Sequence, residues 1–75
     1  MKVELRDLAE IFKKVMGEDT VITEETKRED VKNWDSLNHL NLILELKDFY
    51  KIEFTPEEIA KMNSIKQIIK IIREK

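Results

Sequence analysis

Asp35, Ser36 and His39 gather a carboxylate, a hydroxyl and an imidazole in one short run, the side-chain types of nucleophilic hydrolysis. Residues so close in sequence point in different directions, and neither a second acid nor a glycine-rich loop for an oxyanion accompanies them. A metal site fares no better: His39 is the only histidine, and no carboxylate stands at a recognised ligand spacing from it. No catalytic or metal-binding residue is assigned, and His39 is expected on a helix surface or half-buried.

Ser36 invites a different chemistry. It stands where a long loop meets the start of the most apolar helix of the chain. Unpaired backbone N–H groups and the helix dipole there favour an anion, so a phosphate ester on Ser36 would sit in a stabilising field. Serine is equally at home at such a position as an N-cap whose hydroxyl accepts a backbone N–H. Position alone leaves both readings open.

The elements that place Ser36 follow from periodicity. Val3, Leu5, Leu8, Ile11, Phe12, Val15 and Met16 recur at helical spacing, which predicts an amphipathic helix from Val3 to Met16. Gly17, in left-handed conformation, would close it, and Lys13 and Lys14 suit its negative end. From Glu18 to Asp35 no period holds, and Val21, Ile22, Val31 and Trp34 are the apolar anchors of a long ordered loop. Ser36 to Tyr50 predicts a second helix with two apolar stripes. Leu42, Ile43, Leu46, Phe49 and Tyr50 form one, Leu37, Leu40 and Leu44 the other, with a narrow polar strip of Asn38, Asn41, Glu45 and Asp48. Thr55 as N-cap and Pro56 at the first helical position open a short helix through Met62. Asn63 or Ser64 then caps a last helix from Ile65, with Ile65, Ile68, Ile69 and Ile72 inward and Lys66, Lys70 and Arg73 in water. The expected fold is all-α, a small bundle of three longer helices and one short one, in a single domain over residues 1–75.

Composition narrows the function. The 75 residues are 41% hydrophobic and 40% charged with a net charge of −2, a poor footing for generic nucleic-acid binding. There is no cysteine, which excludes disulfides, thiolate metal sites and a catalytic thiol together and makes the cytoplasm the natural compartment. No apolar run approaches the ~20 residues that span a bilayer, and no signal-peptide core follows Met1. Neither a nucleic-acid nor a membrane partner is expected, and the chain should be monomeric.

The run Trp34-Asp35-Ser36-Leu37, followed by Leu40, Leu42, Ile43 and Leu46, resembles the acyl carrier protein family. So do Phe49-Tyr50-Lys51-Ile52-Glu53-Phe54, the Thr55-Pro56-Glu57-Glu58 turn and Asn63-Ser64-Ile65, so that the resemblance covers essentially the whole chain in order. It implies that Ser36 is esterified by 4'-phosphopantetheine, whose thiol carries acyl groups as thioesters, and that the chain is a carrier and not an enzyme. The thiol absent from the sequence would arrive with the cofactor. The resemblance gives Asp35 a part in recognition by a phosphopantetheinyl transferase. Leu37, Leu40 and Leu44, with Asn38, Asn41 and Asp48 beside them, resemble positions that meet acyl-loading and acyl-transferring enzymes. Leu46, Ile59, Met62 and Ile68 are candidate lining for an acyl chain sheltered beside the second helix.

The chain departs from the family in one respect. Positions often acidic in fatty-acid-synthesis carriers are here Asn38, Asn41 and Lys47, which weakens electrostatic steering and points to recognition through the leucines. The expectation is a stand-alone carrier in a specialised lipid, polyketide or surface-polysaccharide pathway. The alternatives are an aminoacyl or peptidyl carrier using the same serine, and an unmodified helical adaptor in which Ser36 only caps a helix.

Overall fold

A computed structural model describes residues 1–75. It contains four α-helices, α1 (Leu5–Met16), α2 (Ser36–Tyr50), α3 (Pro56–Lys61) and α4 (Ile65–Arg73), with a 3-10 turn at Arg28–Asp30 and no strands. The all-α bundle of three longer helices and one short one is therefore observed.

One apolar cluster holds the helices together. Leu8, Ile11, Phe12 and Met16 enter it from α1, Leu42, Ile43 and Leu46 from α2, and Ile65, Ile68, Ile71 and Ile72 from α4. Met62, at the end of α3, Trp34 and Ile22 from the long loop, and Val3 ahead of α1 complete it. At roughly 25 cal/mol per Å² of apolar surface removed from water, this cluster is the main source of stability. α1 runs beside α2, and Lys14 and Glu45 join their polar edges at 3.0 Å.

Helix α1 begins two residues later than its periodicity implies. Glu4 is extended (φ −99°, ψ 132°), and its carbonyl accepts from Asp7 N and Leu8 N, so Val3 reaches the core from an extended lead-in. Gly17 closes the helix at φ 120°, ψ 149°, which is a glycine region of its own and not the expected left-handed one. A Cβ there would meet only Asn33 Nδ2 at 3.7 Å, so torsion and not space makes the position glycine's.

The long loop is ordered, with one correction to its anchors. Ile22 and Trp34 are buried, but Val21 is 80% exposed. Order comes instead from hydrogen bonds to the junction of α3 and α4: Arg28 N donates to Asn63 O at 2.8 Å and Ile65 N to Thr26 O at 2.9 Å, flanking a bridge between Lys27 and Ser64.

In α2 the stripe Leu42, Ile43 and Leu46 is buried, Tyr50 half-buried and Phe49 exposed. Tyr50 takes the inward position one turn after Leu46, and the Phe49 ring rests edge-on against it at 4.8 Å. Leu37, Leu40 and Leu44 face solvent, which removes them from the core. Lys51 ends the helix in the left-handed conformation (φ 58°) without a glycine.

Helix α3 opens on the expected Thr55 cap, completed as a capping box: Glu58 N donates to Thr55 Oγ1 and Thr55 N to Glu58 Oε1. It ends at Lys61, and Met62 turns inward as its C-cap. Of the two candidate caps of α4, Ser64 is the one used, accepting from Gln67 N at 3.1 Å. Asn63 turns back instead and donates to Ala60 O at 2.7 Å. The buried face of α4 contains Ile71, while Ile69 sits half-buried at its margin.

Candidate functional site at the start of the second helix

The geometry around Ser36 is set by Asp35. Asp35 is extended (φ −98°, ψ −174°), its carboxylate accepts Asn38 N–H at 2.8 Å, and its carbonyl accepts His39 N–H at 2.8 Å. Asp35 is thus the N-cap, and Ser36 is the first helical residue, exposed and capping nothing. The reading of Ser36 as an N-cap is overturned: aspartate and serine both cap well, and a one-residue difference in where the helix starts decides between them. With Asn38 and His39 satisfied, the N–H groups of Ser36 and Leu37 remain at the helix end without a partner in the chain.

Beneath this end lies a buried polar network. Trp34, 4% exposed, packs edge-on against Phe12 at 5.0 Å and donates its indole N–H to His39 Nδ1 at 2.8 Å. An accepting Nδ1 places the ring hydrogen on Nε2, which donates to Ile59 O at 2.9 Å in α3. His39 is therefore buried, at 6% exposure, rather than on a helix surface or half-buried as expected. Its position was readable: residue 39 falls in helical register with Leu42, Ile43 and Leu46, the inward stripe. Both ring nitrogens are engaged inside the bundle while Ser36 points out of it, so the two form no nucleophile–base pair.

Further ties hold the loop against the helix. Asn38 Nδ2 donates to Asn33 O at 2.8 Å, and Asn33 Nδ2 to Met16 O at 2.7 Å. Arg28 donates from Nε to Trp34 O and from a terminal nitrogen to Asn63 Oδ1, each at 3.2 Å. Asn33 and Arg28 escaped the sequence reading because Met16, Asn38 and Asn63, which they tie to the loop, lie outside it.

Leu37, Leu40 and Leu44 are 69%, 57% and 61% exposed and lie on the same side of α2 as Ser36. Asn41 and Asp48 border them, exposed, while Asn38 is half-buried by its ties to the loop. Asp48 lies about 18 Å along the axis from Ser36 at 1.5 Å per residue. It borders an open groove of about 620 Å³ that Leu44, Lys51 and Ile52 also line. A second cavity, of about 400 Å³, lies between residues 16–21 and 30–33 and does not include Ser36. Leu46, Met62 and Ile68 are fully buried in one cluster, with Ile59 half-buried at its edge. No helix is long and apolar enough to cross a membrane.

A helical bundle that presents an exposed serine at the start of its second helix, on a platform of hydrogen-bonded loop, is the arrangement of a carrier. No protein-family model matches the sequence, and no curated protein does. The chain is similar to the solution NMR structure of holo acyl carrier protein from Geobacter metallireducens, with a TM-score of 0.84 and 36% identity over 95% of this chain and 83% of that one. The chain belongs to the acyl carrier protein family.

Proposed function

We propose that the chain is an acyl carrier whose Ser36 hydroxyl is esterified by 4'-phosphopantetheine from coenzyme A. The observation that supports this most is the division of labour at the start of α2: Asp35 performs the capping, which leaves Ser36 exposed and free of structural duty. The site fits the group. A phosphodiester on the exposed Ser36 would lie beside the unpartnered N–H groups of Ser36 and Leu37 at the positive end of the helix.

Attachment breaks the phosphoanhydride of coenzyme A and forms a phosphodiester: Ser36 Oγ bonds to the phosphorus that carries the pantetheine arm, adenosine 3',5'-bisphosphate leaves with the anhydride electron pair, and the serine proton passes to base or solvent. When bound, the group supplies a thiol on a flexible arm, which carries acyl cargo as a thioester. The chain itself positions that arm and does not catalyse. Asp35, one residue before the attachment point, serves recognition by the phosphopantetheinyl transferase as well as capping. Leu37, Leu40 and Leu44 form the surface that acyl-loading and acyl-transferring enzymes meet, with Asn38, Asn41 and Asp48 at its border. An apolar contact of this type responds little to salt, whereas a charge-steered encounter slows as the Debye length falls from ~10 Å at 0.1 M to ~3 Å at 1 M. The carrier works as a single monomeric domain in the cytoplasm, in a specialised lipid, polyketide or surface-polysaccharide pathway.

The test is incubation with coenzyme A, magnesium and a broad-specificity transferase. Mass spectrometry should show one added phosphopantetheinyl unit, abolished by Ser36→Ala. An unmodified wild-type chain, with the transferase proven active on another carrier, would refute the proposal.

A further inference from the structure

Resting on the carrier reading above, we propose that the bundle is latched shut by the Trp34–His39–Ile59 hydrogen-bond chain, so that cargo stays outside the core and is a short or polar acyl group. Leu46, Met62 and Ile68, the residues that would line a chamber for an alkyl chain, are fully buried and close-packed in the apolar cluster. Neither the 400 Å³ nor the 620 Å³ cavity is lined by any of them or by Ile59. A chamber able to hold even a benzene-sized guest needs about 150 Å³. An alkyl chain can therefore enter only by moving a helix.

The helix least bound to the core is α3, which has six residues and no fully buried side chain between Pro56 and Lys61. His39 fastens it. The imidazole stands one turn inward from Ser36 on the stripe that leads to Leu46, so a chain threading from Ser36 along that stripe meets the ring first. Trp34 closes one side of the ring, its plane stacked at 24° and 6.1 Å, and Ile59 O of α3 holds the other. Moving α3 away breaks the bond between His39 Nε2 and Ile59 O and leaves the buried imidazole N–H without its acceptor, while Trp34 still holds Nδ1 in place. Asn63, pinned by Arg28 and itself bonded to Ala60 O, ties down the far end of α3. Acetyl-sized and aminoacyl groups need no chamber, so the latch costs such a carrier nothing.

The experiment loads Ser36 with acetyl- and octanoyl-phosphopantetheine from the corresponding acyl-coenzyme A and a transferase. It reads thioester cleavage by hydroxylamine and the methyl NMR shifts of Leu46, Met62 and Ile68. In the wild type the two thioesters should be cleaved at the same rate, with no shift at those methyls. In His39→Ala the octanoyl thioester should become several-fold slower to cleave than the acetyl one, with shifts at Met62 and Leu46. The wild-type comparison decides the matter even if that variant folds poorly. Octanoyl protected several-fold in the wild type, with those methyls shifted, overturns the latch and leaves the carrier reading intact. Failure of both donors to modify Ser36, with the transferase active on another carrier, overturns the carrier reading and the latch with it.

Discussion

Replacing Asp35 and Ser36 in turn separates structure from chemistry at adjacent positions. In Asp35→Ala the Asn38 N–H loses its acceptor. A lost N-cap costs about 1 kcal/mol, and removing a negative charge from the positive end of the dipole adds about 0.5 kcal/mol. Asp35→Asn keeps an acceptor and should lose only the second part. Ser36→Ala removes a hydroxyl that caps nothing, and should change stability by no more than about 0.5 kcal/mol. Urea unfolding followed by circular dichroism resolves these differences. With a slope of about 1 kcal/mol/M for a small chain, Asp35→Ala should lower the midpoint by about 1.5 M while Ser36→Ala barely moves it. High salt should shrink the gap between Asp35 and Asp35→Asn, because only the dipole term is screened. A Ser36→Ala variant that loses as much as Asp35→Ala would show that the cap has been assigned to the wrong residue, and would restore the adaptor reading.

The other predictions concern the rest of the bundle. Leu42→Ala, at a fully buried site, should cost about 2–5 kcal/mol, whereas Leu44→Ala on the exposed face should stay within about 0.5 kcal/mol yet slow the cognate-enzyme rate with little salt dependence. Equilibrium unfolding and steady-state kinetics read the two effects, and equal stability losses would contradict the assigned faces. Tyr50→Phe should stabilise the fold by up to about 1 kcal/mol, because the phenol oxygen is buried without a hydrogen-bond partner. Burial first, then the charges of Asp7 and Glu4, hold the Tyr50 phenol above its usual 10.0. Stability is thus insensitive to this group below pH 10 and falls as pH rises beyond, because the unfolded phenol ionises first, a decline that Tyr50→Phe should lack. Glu58 is held below its usual 4.5, first by the hydrogen bond from Lys75 and then by that from Thr55 N. Its stabilisation should be present above pH 4.5 and fall as pH drops through the lowered value, and Glu58→Gln should flatten that acid limb in a stability–pH titration.

What could be read from the sequence was local in origin. Thr55, Pro56 and Glu58 announce the start of α3 because a capping box is complete within one turn. The inward stripes of α1, α2 and α4 are visible because period alone sorts their faces. Ser36 was legible as a position at the start of the second helix, and the attachment role proposed for it comes from the family resemblance. The identity of its cap was not, since Asp35 and Ser36 are adjacent and equally competent. His39 was misplaced because residue type outweighed register. Of its partners, Trp34 is only five residues away, but Ile59 becomes a neighbour only after α3 folds back over α2. Lys51 in the left-handed conformation leaves no mark in a sequence where glycine would be the usual signal.

The stitching of the long loop to the junction of α3 and α4 has a consequence for the order in which the chain assembles. Arg28 meets Asn63, and Thr26 meets Ile65, across a sequence separation of 35 residues in the Arg28 side-chain contact. Closing so long a segment costs entropy that only late contacts repay. Helices α1 and α2 can pair without α4, and Asn33 then ties the loop to Met16 and Asn38, but the bonds of Thr26 and Arg28 to Ile65 and Asn63 form only once α4 docks. A nascent or truncated chain lacking α4 would therefore hold the Asn33 end of the loop by Met16 and Asn38 while its part from Thr26 to Arg28 hangs free. The surroundings of Ser36 are fully fastened only in a finished bundle, so the proposed modification would report completed folding.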